Sequence, residues 1–189
     1  MTLFYIGLVL FLGPHFFSAM RSRAEGQDIR VKLGEAKYMG LYSLVSLLGF
    51  ALLIWGYAKA SPGPVIFEGP HDLHHIAWIP MMVALILLTA AYTPLGYIKR
   101  FVQHPMMLAV LIWSLTHLAM GGDLKRLLLF GGFALYSLTS LIFAYRRGTD
   151  LKSKTPGLTG DILAIIIGIG LAGILMHGAH LYLFKAYPL

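Results

Sequence analysis

Six apolar blocks, each close to the length of a bilayer-crossing helix, dominate this chain. They run over residues 2–20, 37–57, 73–92, 101–120, 124–145 and 160–184. Crossing the hydrocarbon core of a membrane takes roughly 20 residues of helix. In that medium every backbone N–H and C=O must find a partner within the protein, which leaves helices or a closed barrel. Unbroken apolar runs such as residues 81–91 lack the in-out alternation of barrel strands. The predicted fold is therefore all-α: an integral membrane bundle of six transmembrane helices. Residues 1–189 form one domain, with no internal repeat.

Composition closes off the other classes. Of the 189 residues 58% are hydrophobic and only 12% charged, whereas a soluble domain carries about a quarter charged residues. With a mean hydropathy of +0.74, neither a water-soluble enzyme nor a disordered chain fits. The chain has no cysteine, so disulfides, iron–sulfur clusters, thiolate haem ligation and cysteine nucleophiles are excluded. The first block has no basic stretch before it, and Gly13-Pro14-His15 interrupts its apolar run, so it reads as a retained helix rather than a cleavable signal. Pro14 is expected to kink that helix and to free a carbonyl one turn earlier.

The net charge of +7 does not point to nucleic acid, because the basic residues sit in the gaps between apolar blocks. There they act as topology signals and headgroup contacts. The first, third and fifth connectors hold five, two and four Lys or Arg; the second, the fourth and the tail hold one, two and one. Eleven against four puts both termini outside the cytoplasm. The Pro- and Gly-rich second connector, residues 60–72, is then an external loop.

Histidine is the chemical resource, with eight residues. Ionisable groups inside a bilayer are costly and mark functional positions. His15 follows Pro14 within the first block; it either answers the carbonyl that Pro14 frees or serves as an axial ligand or proton carrier. His117 lies deep in the fourth block with no charge within five residues on either side, so a neutral imidazole there needs hydrogen bonds or a metal. His104 precedes Pro105 at a helix start, suited to helix initiation or to contact with an anion. His177 and His180 stand three residues apart and would share a face of the sixth helix. His71, His74 and His75 read as solvated residues at the external loop. Arg21 and Arg23 end the first helix, where they snorkel to headgroups or pair with a haem propionate. Asp123 is expected to cap the fifth helix. The nine methionines read as packing residues.

A thiolate-free site built from imidazoles suits a b-type haem, whose iron two neutral histidines satisfy axially. A non-haem metal or a proton pathway would draw on the same residues.

Four stretches resemble the NnrU family: GPHFFSAMR at 13–21, IKRFVQHPMML at 98–108, LIWSLTHLAMGGD at 111–123 and LLLFGGF at 127–133. The resemblance covers most of the chain. It implies a bacterial inner-membrane protein associated with denitrification, that is, nitrite and nitric oxide reduction. It also implies kinship with the plant 15-cis-zeta-carotene isomerase, a membrane enzyme with a b-type haem. Carried over residue by residue, the proposed axial ligands of that isomerase fall on His15 and His117, and the histidine of its Arg-His-Pro motif on His104. The arginine of that motif is replaced by Gln103, with Arg100 one turn away, and a cysteine discussed as a ligand falls on Ser114. The isomerase's long terminal extensions have no counterpart here.

In this reading haem b is the cofactor, and His15, His117, His104, Arg21 and Arg100 form its site. The bilayer is the surrounding partner. Nitrogen-oxide reductase components or a small lipid substrate are the others. The haem serves a redox, sensing or assembly role, the alternative being cis-trans isomerisation of a carotenoid-like lipid. A more distant likeness is to membrane methyltransferases with an Arg-His-Pro motif; for that chemistry the sixth span is read as bringing no acidic residue to its cytoplasmic end.

Depth gives a second expectation for the ligand pair. His15 lies about 13 residues from the outer end of its helix and His117 about four from its own, a difference of roughly 13 Å at 1.5 Å per residue. By depth alone, His177 or His180 suits His117 better.

Overall fold

The computed structural model describes residues 1–61 and 63–184, with the side chains of 183 and 184 left aside. Ten α-helices lie in this part: α1 (Thr2–Met20), α2 (Ile29–Leu33), α3 (Glu35–Lys59), α4 (His71–Ile76), α5 (Trp78–Tyr92), α6 (Tyr97–Val102), α7 (Pro105–Ala119), α8 (Leu124–Arg147), α9 (Leu158–Ile174) and α10 (His180–Phe184). A 3-10 turn covers Asp150–Ser153, and a wide π turn, Leu175–Ala179, joins α9 to α10.

The long helices pack side by side in the order α3, α1, α8, α7, α5, α9. Each touches chiefly its two neighbours, so α3 and α9 stand at the ends of a row. Such a row buries little. Val9, Leu44, Ile166 and Leu135 are each at least 60% exposed. In water these faces would be an aggregation surface; in lipid they need no cover. With no hydrophobic force between helices in a bilayer, close backbone approach holds them together. The α1–α3 crossing shows it: a Cβ on Gly49 would stand 2.5 Å from the Phe11 amide nitrogen, and one on Gly56 would strike the Phe4 backbone.

Among the described residues four helices are long and apolar enough to cross a membrane: Thr2–Met20, Glu35–Lys59, Leu124–Arg147 and the kinked Leu158–Tyr182. The third and fourth sequence blocks differ from expectation. Each is divided, and its apolar helix, α5 or α7, has 15 residues. At 1.5 Å per residue that is about 22 Å, short of a core of about 30 Å. The physical causes are local. Residues 73–76 belong to α4, which ends at Ala77 before α5, and the 101–104 stretch is consumed by α6 and a sharp corner. At that corner Gln103 takes φ 63°, the left-handed region that a non-glycine side chain resists.

Among the described residues the chain is all-α as expected, with one small antiparallel ribbon beside the helices. Val65–Glu68 (β1) pairs with Gly121–Asp123 (β2) and ties the second connector to the α7–α8 junction. The end of the bundle bearing this ribbon is called the β end below; the opposite end, with Arg21, Arg100 and Arg147, is the basic end.

Several helix ends find their caps in distant residues. The last carbonyls of a helix have no intrahelical donor and carry partial negative charge. Arg147 Nη1 donates to the Ala19 carbonyl of α1 at 2.8 Å. Lys125 Nζ, nearly buried, donates to the Ala60 carbonyl beyond α3 at 3.1 Å. Lys99 Nζ donates to Ala91 and Thr93 at the end of α5, at 2.8 and 3.1 Å. Three residues counted above only as topology signals are therefore structural caps.

Candidate functional site

α7 presents His117 two residues before its end, where the helix is flanked by α8 and α5. Its Nδ1 hydrogen-bonds the Trp113 carbonyl one turn back at 2.9 Å, so Nδ1 carries the proton and Nε2 keeps its lone pair. The Phe130 ring of α8 stacks on the imidazole with centroids 4.6 Å apart, and Trp113 packs at 5.2 Å. On another side stands His180, the first residue of α10, with ring centroids 6.5 Å apart and planes 23° apart. The two imidazoles border an apolar cavity of about 330 Å³, walled by Met81, Leu85, Leu88, Val110 and Leu175.

The bend between α9 and α10 decides this pairing. Gly178 adopts φ 126°, a conformation that side chains rarely reach, and His177 beside it is non-helical at φ −88°, ψ 24°. The expectation that His177 and His180 share a helix face is corrected here, because the helix does not run straight between them. His177 turns outward, exposed, with Nδ1 on the Gly173 carbonyl at 2.8 Å, while His180 comes to the cavity.

His15 occupies a different place. Its Nδ1 hydrogen-bonds the Phe11 carbonyl at 2.6 Å, whereas the carbonyl that Pro14 deprives of a donor belongs to Leu10. Its ring lies 5.2 Å from Tyr42 of α3 and 5.5 Å from Tyr136 of α8. A succession of rings separates it from His117: Phe11 packs on Phe133, Phe133 on Trp113, and Trp113 on His117. The structure brings His117 together with His180; it does not bring together His15 and His117.

The remaining residues expected at the site lie at the basic end. His104 precedes α7 and stands 13 positions before His117, about 20 Å along the helix. Its ring meets Tyr145 edge-on at 5.0 Å. Arg100 Nη2 donates to the Lys152 carbonyl at 2.9 Å, which fastens α6 to the 3-10 turn. Arg21 pairs with Asp28, and that hydrogen bond holds the Asp28 carboxyl below the usual carboxylate range. Arg21, Arg100 and His104 therefore form no common site with His117. At the β end the basic residue within electrostatic range of His117 is Arg126.

His71, His74 and His75 lie together on α4, with His71 ring centroids 6.3 and 5.4 Å from the other two. Among the described residues, no three His, Asp or Glu side chains are arranged to hold a metal ion. Asp123 caps α8 as expected, accepting from the Arg126 amide at 2.9 Å, and it also accepts from the Gly63 amide at 3.2 Å. Asp161 is the residue that sequence reasoning missed, and it corrects the reading of the sixth span's end as free of acid. It sits in the first turn of α9, and its carboxylate accepts from the Tyr97 and Ile98 amides at 2.8 and 3.0 Å. Both oxygens are thereby engaged in holding α6. The available signal was an acid in the first turn of an otherwise apolar helix.

Together these features define a class: an α-helical membrane protein with an imidazole pair at one end and a basic cluster at the other. Within that class, the family model described as NnrU protein matches residues 3–188, nearly the whole chain. The chain belongs to the NnrU family. No curated protein and no solved structure matches it.

Proposed function

We propose that this NnrU-family chain is a multi-pass protein of the bacterial inner membrane that holds haem b near its β end, its iron between His117 and His180. The role in this reading is redox, sensing or assembly in nitrite and nitric oxide metabolism. The observation that carries the haem reading is the His117–His180 pair, with ring centroids 6.5 Å apart. Two imidazoles at this separation would hold one metal ion between them, a metal–imidazole bond being about 2 Å.

The surroundings favour the same reading. The Nδ1 hydrogen bond of His117 to Trp113 fixes the tautomer that a ligand needs. A bis-imidazole iron takes no third protein ligand. The cavity walls are apolar, as a porphyrin requires, and Arg126 lies within electrostatic range of His117. Bound there, haem would supply one-electron redox chemistry or binding of a diatomic ligand. The chain's own part is to orient two imidazoles and to keep water from them. The denitrification role rests on what the family resemblance implies.

The absorption spectrum of the purified protein, with and without dithionite, tests the reading. Wild type is expected to show low-spin haem b. His117→Ala and His180→Ala are each expected to lose haem or turn it high-spin, because one imidazole leaves the sixth position weak or vacant. His15→Ala, His104→Ala and His177→Ala are expected to keep the low-spin spectrum. A colourless preparation from haem-replete cells refutes the haem. Loss in His15→Ala with a silent His180→Ala refutes this pair in favour of His15 and His117, the pair implied by the resemblance.

A further inference from the structure

The basic end gathers more positive charge than its own acid balances. Arg21 and Arg23 follow α1, Arg147 closes α8, and His104 precedes α7. The Arg21 side chain is only 6% exposed; its Nη1 is engaged by Asp28, and its buried Nε has no hydrogen-bond partner among the described residues. Arg147 lies within electrostatic range of both Arg21 and Arg23, and His104 within range of Arg147. The buried Nε2 of His104 likewise finds no partner among the described residues. A guanidinium buried with an unanswered N–H is costly. Arg21 and Arg23 share the Asp28 carboxylate, and Arg147 adds repulsion against both.

An apolar space adjoins this charge. The Arg21 guanidinium carbon stands 5.6 Å from the centroid of the Tyr38 ring. Tyr38 in turn lines a cavity of about 290 Å³ between α1 and α3, walled also by Pro14, Phe17, Leu33 and Tyr42. α2 forms part of that wall through Ile29 and Leu33. Charge at one end and an apolar cleft beside it match an amphiphile with an anionic head.

We propose that Arg21, Arg23 and Arg147 bind the phosphate of a lipid headgroup, with an acyl chain in the Tyr38 cavity. The recognised chemistry is a phosphate oxyanion, which guanidinium N–H groups meet as a fork. A basic pocket between membrane helices is a recurrent setting for acidic lipid heads. The apolar cleft favours a lipid source over free phosphate. The site makes no use of haem and stands or falls separately from it.

The test is thermal unfolding of the full chain in neutral detergent, titrated with phosphatidylglycerol, phosphatidylcholine or inorganic phosphate. Phosphatidylglycerol is expected to raise Tm by roughly 5–10 °C near saturation, and the other two to leave it in place. A rise with inorganic phosphate and none with phosphatidylglycerol overturns the lipid assignment. No rise with either anion overturns the proposal. Arg23→Gln and Arg147→Gln are each expected to raise the half-saturating lipid concentration about tenfold, as loss of one charge-assisted bond requires. Lys154→Gln removes the same charge from an exposed position in the following connector and is expected to change nothing. An equal loss in Lys154→Gln overturns the site, since diffuse charge then accounts for the binding.

Discussion

Removing the Asp161 carboxylate is expected to destabilise the fold more than any exposed substitution at the same end. α6 begins at Tyr97, and its capping position is Gly96, which has no side chain to satisfy the first amides. Asp161 does so from α9, accepting from Tyr97 and Ile98 at 2.8 and 3.0 Å, and it is only 9% exposed. Hydrogen bonds to a charged group contribute about 1.5–3 kcal/mol each, and Asp161→Ala loses two, so the cost is about 3–6 kcal/mol. For a chain of this size 1 kcal/mol moves Tm by about 2–4 °C, which gives a fall of roughly 6–24 °C. Asp161→Asn keeps one acceptor oxygen and is expected to lose about half as much. Thr159→Ala, two residues away and exposed, serves as the control and is expected to stay within about 0.5 kcal/mol of wild type. The assay is thermal unfolding in detergent followed by circular dichroism. An Asp161→Ala protein that melts with the control refutes the capping argument.

Two further outcomes follow from charge and topology. Because Arg21 lowers the pKa of Asp28 in the fold, the pair contributes stability that is present above the unfolded pKa of about 3.9 and is lost as pH falls. Asp28→Asn is therefore expected to lower Tm at pH 7, with the gap to wild type closing below about pH 4; a gap independent of pH refutes the linkage. If the basic asymmetry of the connectors orients the chain as proposed, with both termini periplasmic, a carboxy-terminal alkaline phosphatase fusion is expected to be active and a green fluorescent fusion dark. The reverse pattern overturns that orientation.

The sequence by itself determined the solvent, the helices and the family. Apolar blocks of bilayer length leave a chain no folded alternative but to satisfy its backbone in helices, and that information is local. The capping role of Asp123 was legible for the same reason, since a cap acts within one turn. The family, too, was legible, because its motifs are runs of adjacent residues.

Tertiary structure alone decided which groups meet. His15 and His117 look equivalent in sequence, each an intramembrane imidazole, yet the order α3, α1, α8, α7, α5, α9 sets a layer of aromatic rings between them. The three-residue spacing of His177 and His180 implied a shared face, and a single glycine at φ 126° separates them. Lys125, Lys99 and Arg147 read as surface charges until the fold brought distant carbonyls to them. Asp161 caps a helix that begins 64 residues before it. Hydropathy and caps act through near neighbours along the chain. The choice of partner for a buried polar group depends on which helices lie side by side and where their backbones break, and no local pattern carries that information.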